Sequence, residues 1–187
     1  AIGHTSRALH DQTIAIGVDA TAMEERSLAL GDGATAETEN SVAIGTDAIA
    51  RGGAAVSIGL GNIANGNGAV AIGDPNVATG TGAVAMGADN TATGDGAVAI
   101  GNLNTANGAG AIALGNGATA QNNDGTAIGT GAAALGNNAI AFGTGAFSQG
   151  GGAVSLGGSS SAIATNAVAV GQNSISTGTD AAALGAR

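Results

Sequence analysis

The groups able to do acid–base chemistry are few and crowd towards the start of the chain. His4 and His10 are its two histidines, and Asp11 follows His10 directly. A histidine becomes a general base only when a partner holds its ring in place. Neighbours along a turn point apart, so this pair reads as solvated. Glu24-Glu25 and Glu37 with Glu39 supply paired carboxylates, but in turns or on a wet strand face, where they serve solubility. Gly94-Asp95-Gly96 has the look of a phosphate loop. The dinucleotide fingerprint, however, is Gly-x-Gly-x-x-Gly at the head of a helix, and here a strand pattern follows. Calcium-loaded rolls repeat every nine residues with an aspartate in each unit, whereas this turn varies between Asp, Asn, Thr and Gly. With no cysteine there is neither a thiolate metal site nor a disulfide. These residues assign no catalytic, cofactor-binding or metal site, and the chain reads as no enzyme.

What positions them is a repeat. A glycine stands at Gly3 and recurs every fourteenth residue through Gly17, Gly31, Gly45 and onward to Gly185, without insertion or deletion. Each follows one larger apolar residue, such as Ile44, Ile72, Met86, Ile100 or Phe142. An unbroken period of this length means stacked repeats. Three residues before the glycine stands Val or Ile in most coils, and two before it always Ala or Ser. That alternation is a strand signal. Two variable residues rich in turn formers come next (Thr46-Asp47, Asp74-Pro75). A second short strand follows, its middle residue always Ala or Ser, as in Asn90-Thr91-Ala92-Thr93. Another turn closes the coil. The fold class is all-β: two short strands and two tight turns per fourteen residues, stacked into two parallel sheets, a β-roll solenoid. At about 4.8 Å per coil the stack would run to roughly 60 Å. Residues 1–187 read as a single β-roll domain, and because the chain starts and stops within a repeat, as a piece of a longer array.

Composition agrees with a thin solenoid. Thirty-six residues are glycine, two are aromatic, and the net charge is −9. Few large side chains are available for a globular core, so close backbone approach must replace bulk. Nucleic acid is excluded as a partner, because phosphate binding needs a basic stripe and the cations here are four arginines. No run of eighteen apolar residues could span a membrane as a helix.

Side chains then divide by face. Two sheets at ordinary separation set large residues of one against small residues of the other. On that reading Val42, Ile44, Val70, Ile72, Val98 and Ile100 form the roll core. The Ala/Ser row, Ala15, Ala29, Ala43, Ser57, Ala71, Ala85, Ala99, Ala113, Ala127 and Ala141, then faces outward. It never carries a charge or a long side chain, which predicts coverage by another copy of the chain, a subunit interface. The outer face of the second strand varies freely and is the predicted ligand face, including Thr35, Glu37, Arg51, Ile63 and Phe147.

Asn40-Ser41-Val42-Ala43-Ile44-Gly45, Gly68-Ala69-Val70-Ala71-Ile72-Gly73 and Gly96-Ala97-Val98-Ala99-Ile100-Gly101 resemble the head repeats of trimeric autotransporter adhesins of the YadA type. The resemblance covers the whole chain and includes the period. It implies a left-handed parallel β-roll assembled as a homotrimer, exported to the outer membrane surface of a Gram-negative bacterium and attaching to host cells or extracellular matrix in virulence. It implies no cofactor, and contact with the membrane only through an anchor domain outside this sequence. The collagen-associated form of the repeat carries serine three residues after the glycine. Here that serine occurs at Ser6, Ser160 and Ser174, while the best-matching coil has Ala48.

Three other readings differ in class. A passive spacer would project further domains from the cell. An ice-binding solenoid needs a persistent Thr-x-Thr ladder, but Thr91-Ala92-Thr93 is flanked by Val77-Ala78-Thr79 and Thr105-Ala106-Asn107. A left-handed β-helix acyltransferase needs a hexapeptide repeat and a catalytic histidine, and the chain has neither.

Overall fold

A computed structural model describes residues 1–186 of the chain. The chain forms two compact units, Ala1–Asp95 and Gly96–Arg187. Every regular element among the described residues is a strand. In the first unit each coil has a first strand, such as Ile14–Ile16, Leu28–Leu30 or Val42–Ile44. A second follows, such as Thr21–Ala22, Thr35–Ala36 or Ile49–Arg51. First strands pair in parallel with first strands one coil on, Val42 with Val56, Ala43 with Ser57 and Ile44 with Ile58. Second strands pair likewise, Ile49 with Ile63 and Ala50 with Ala64. The second unit repeats the scheme, with Val98 opposite Ile112, Ala99 opposite Ala113 and Ile100 opposite Leu114. Both units are parallel β-solenoids.

The recurrent glycine is required twice over. At Gly17 φ is +136°, and a Cβ there would lie 2.2 Å from the carbonyl oxygen of Gly31 in the next coil. An L-residue is excluded by its own backbone and by the coil stacked on it. The two turns each place a residue in the left-handed region. In the first turn it is Asp19, Asp47 or Asp89, and in the second Asn40, Asn138 or Asp180, all with φ between 54° and 59°. Asp and Asn tolerate this conformation better than other non-glycine residues. That explains why the variable turns are nonetheless rich in them.

The interior is not where the size of the side chains places it. Around Gly31 the buried residues are Ser27, Ala29, Ala34 and Ala36, all at 1% exposure or less. The same four columns recur in the second unit as Ala111, Ala113, Ala118 and Ala120. Ala15, Ala29, Ala43, Ser57, Ala71, Ala85, Ala99, Ala113, Ala127 and Ala141 are fully buried within one chain. They are core, not a subunit interface. Val42, Ile44, Val70, Ile72 and Val98 point outward and are partly exposed, and Ile100 is 39% exposed. They are not the roll core. The reason is thickness. Sheets of ordinary proteins pack about 10 Å apart, but turns this tight hold the two strands of a coil closer. Ser155 shows it directly, its Oγ donating to the Phe147 carbonyl of the opposite strand at 2.7 Å. A gap that one hydroxymethyl group crosses admits a methyl or hydroxymethyl group from each strand and has no room between them for the branched side chains of Val, Ile or Leu.

Substitution at the Ala43 column tests this assignment by thermal denaturation. Ala43→Ser is expected to stay within about 1 kcal/mol of the parent, since serine stands in the same column at Ser57. Ala43→Leu overpacks a site with no free volume and is expected to cost at least about 3 kcal/mol or to prevent folding.

Candidate functional site

No cavity opens among the described residues, so any partner must be met on the outside. Two faces and two turn edges are on offer, and the strand alternation that builds them is strict.

The outer face of the first strand is apolar in both units. Its two rows hold Val42 with Ile44, Val56 with Ile58 and Val70 with Ile72 in the first unit. In the second they hold Val98 with Ile100, Ile112 with Leu114, Ile140 with Phe142 and Val154 with Leu156. No charged residue interrupts either row, and the one polar side chain is Thr126. Several are well exposed, Phe142 to 53%. Contiguous exposed apolar surface of this kind is uncommon on proteins that have no partner. The outward apolar face is thus not that of the alanine row but that of the residues one to either side, on the opposite face of the same strand.

The outer face of the second strand is mixed. Thr35, Ile49 and Ile63 lie side by side in successive coils, with Glu37 and Arg51 beside them. The structure therefore gathers four of the five predicted ligand residues on one patch of the first unit, all part-buried. Phe147 stands in the second unit between Ala133 and Ser161, partners too small to cover it. Charge is uneven: eleven of the thirteen acidic residues and three of the four arginines belong to residues 1–95. Arg26 bridges coils by pairing with Glu39 and donating to Asn40 Oδ1 at 2.9 Å. Such exposed pairs add little to stability.

His4 and His10 are exposed. No cluster of three His, Cys, Asp or Glu that could hold a metal occurs among the described residues.

One structural feature had a sequence signal that composition and strand pattern do not isolate. Asn62, Asn76, Asn90 and Asn104 stand three residues after successive repeat glycines, and all are at most 1% exposed. In the first unit they stack. Asn62 Oδ1 accepts from the Asn76 backbone N–H at 2.8 Å and from its Nδ2 at 3.1 Å, and Asn76 Oδ1 does the same for Asn90 at 3.1 and 2.9 Å. Asn76 Nδ2 also donates to the Ile72 carbonyl of its own coil and to the Gly87 carbonyl of the next, at 3.1 and 2.8 Å. Asn104 in the second unit bonds the Ile100 and Gly115 carbonyls in the same way, and Ala118 N–H donates to its Oδ1. Coils with alanine here close the turn differently, Ala132 N–H donating back to Gly129 at 3.2 Å. At two of the four asparagine corners the strand pairing runs on from first strand to second, as Val70–Thr79 and Val84–Thr93. At the Asn76 corner the preceding residue is Pro75, which cannot take the left-handed conformation that Gly61, Asp89 and Leu103 hold at the other three.

A spacing of fourteen, parallel coils and a glycine at each first turn are the properties of one known repeat. The family model described as YadA head domain repeat matches residues 1–22, 25–48, 78–104, 92–118, 106–132, 120–146, 148–174 and 162–187. The chain belongs to the YadA head family. A comparison with curated proteins found no match. The YadA head is a structural, adhesin-type repeat of Gram-negative surface autotransporters, and the solenoid described above is its architecture in this chain. The matches leave out residues 49–77, where Asn62 and Asn76 replace the small residue of the first turn.

Removing one rung of the ladder is the check. Asn76→Ala strips buried donors and acceptors from Ile72, Gly87 and Asn90. It is expected to cost at least about 3 kcal/mol by denaturant unfolding, since each orphaned group costs about 1–3. Asn102→Ala, which loses only a 3.3 Å bond to Asn116 on the exposed side, is expected to stay within about 0.5 kcal/mol.

Proposed function

We propose that the chain is a single β-roll head of a homotrimeric, non-enzymatic surface adhesin, with left-handed coils, exported to the outer membrane surface of a Gram-negative bacterium and attaching it to host cells or extracellular matrix in virulence. The observation that carries the assembly is the Val/Ile stripe. The alanine core is complete within one chain, yet the largest apolar side chains of each unit face out from it. Threefold symmetry about an axis along the stripe covers it in every copy at once and closes the heterologous contact into a ring with no open edge. The second-strand faces, with Thr35, Glu37, Arg51, Ile63 and Phe147, then point away from the axis towards ligand. They carry few of the aromatic and arginine anchors that dominate tight interfaces, so each contact is weak and repetition across three chains supplies the strength.

Light scattering after size exclusion tests the assembly. Three chains of 17.1 kDa give about 51 kDa, and Ile100→Asp, which sets a charge in the stripe, is expected to release a folded 17.1 kDa species. A native monomer would remove the basis of the proposal.

Attachment is tested separately on variants that remain trimeric. Arg51→Glu with Ile63→Asp and Phe147→Ser is expected to lower binding to matrix-coated surfaces at least about tenfold, because weak contacts multiply through avidity. Unchanged binding by an intact trimer would favour the passive spacer, a role that the cavity-free, aromatic-poor surface also suits.

A further inference from the structure

The outer face of the second strand changes character along the second unit. Its early coils are polar there, with Thr105 and Asn107, then Thr119 and Gln121. Its later coils turn apolar. Ala133, Phe147, Ser161 and Ile175 follow one another in register along one row. Leu135, Gln149 and Ile163 follow one another in the row beside it, each donating its backbone N–H to the coil stacked on it. Phe147 is therefore diagonal to Leu135 and to Ile163, and Ile163 is diagonal to Ile175. Ile163 is 40% exposed and Ile175 45%, while Leu135 and Phe147 are part-buried. The buried Ala134, Ser148, Ala162 and Ser176 alternate with them, so all four large side chains point out of the roll.

Two properties of this patch limit its partner. No ionisable side chain occurs between Asp124 and Asp180, so the surface has no charge with which to steer or pair a charged ligand. No cavity opens among the described residues, so there is no pocket to seat the aromatic and arginine anchors through which proteins bind one another tightly. An apolar face without pockets suits a partner that conforms to it. A lipid interface does so, taking Phe, Ile and Leu side chains to the boundary between headgroups and acyl chains. Gln149 and Ser161, set among them, can hydrogen-bond the headgroups. The basic side chains that draw proteins to anionic lipid are absent from the patch, and a net charge of −9 on the chain opposes an anionic surface.

We infer that Leu135, Phe147, Ile163 and Ile175 form a contact site for a lipid surface without net charge. The inference rests on the reading that assembly covers the stripe and turns the second-strand faces outward. It adds a second ligand chemistry to the one at Thr35, Glu37, Arg51 and Ile63 in the first unit. Contact there involves charged side chains and is screened by salt, whereas contact through the apolar patch is not. Four side chains entering only the headgroup boundary make a shallow, reversible contact, in keeping with attachment by many weak points.

Co-sedimentation with vesicles tests the site, with light scattering on every variant. The native trimer is expected to bind phosphatidylcholine vesicles, equally in about 0.05 M and about 0.5 M salt, and to bind less well once phosphatidylserine is added. Leu135→Ser with Ile163→Ser is expected to lower that binding at least about tenfold, because apolar area is lost, while the trimer persists. The chain has no tryptophan, so single tryptophans report which face makes contact. Phe147→Trp is expected to shift its emission to the blue on adding phosphatidylcholine vesicles. Phe142→Trp, on the stripe, is expected not to respond, because assembly already covers it. A trimer that fails to bind, binds only the anionic vesicles, or binds unchanged in the double variant overturns the lipid site and leaves the assembly standing. Loss of attachment to matrix-coated surfaces in the double variant, with no vesicle binding by the native trimer, puts a protein on the patch and overturns the lipid site likewise. A native monomer whose tryptophan responds at 142 and not at 147 overturns the assembly, and the site with it.

Discussion

The thickness of one coil governs the rest of the structure. Fourteen residues bent back through two tight turns leave a gap that a methyl from each strand fills. From that follow the four columns of Ala, Ser and Asn, the glycine that lets each coil lie on the carbonyl of the next, and the displacement of every larger apolar side chain to the outside. A globular domain hides its valines and isoleucines by folding around them. A roll this thin has nowhere to put them, so they form an apolar stripe on its outside. Each coil completes its core only by stacking on its neighbours, as in other repeat proteins where a unit cannot bury its faces alone.

An interior without large side chains gains little hydrophobic free energy per residue, about that of a methyl group at each alanine. Hydrogen bonding between coils carries a correspondingly larger share of the order. Parallel ladders run along both strands, and hydroxyls in the core are paired, Ser57 to the Asn62 carbonyl and Ser148 to the Ile140 carbonyl. No buried side-chain nitrogen or oxygen among the described residues lacks a partner. The asparagine corner extends this economy. Its amide joins a carbonyl of its own coil to one of the next, and its oxygen takes the N–H that the tight turn would have used.

Much of this is legible in the sequence, and the parts that were not have physical reasons. The period, the strand pair, the two turns and the absence of helix all follow from glycine spacing and alternation. Sidedness does not, because alternation is symmetric and says only that two faces differ. Val42 and Ile44 look like core by size and Ala43 looks like a contact surface by its restriction to small residues. The restriction is real, but what covers Ala43 is the opposite strand of its own chain. The decisive quantity is the gap between strands, which depends on turn geometry rather than on the strand residues. Asn62, Asn76, Asn90 and Asn104 share one column and were visible as such. Their burial was not, since asparagine at a turn ordinarily faces water. The ligand face has the weakest signal of all: Thr35, Glu37, Arg51 and Ile63 adjoin one another, but nothing in residue type separates a binding surface from a wet one.

Thiol accessibility at two adjacent positions tests the division between inside and outside most directly. Ala99→Cys and Val98→Cys, each placed in the Ile100→Asp chain so that assembly is blocked, are exposed to a small polar alkylating reagent under native conditions. A methyl-thick core buried within one chain predicts that the cysteine at 98 reacts freely and the one at 99 is protected, reacting only on unfolding. Free reaction at 99 with protection at 98 would contradict the account and return the valines to the interior.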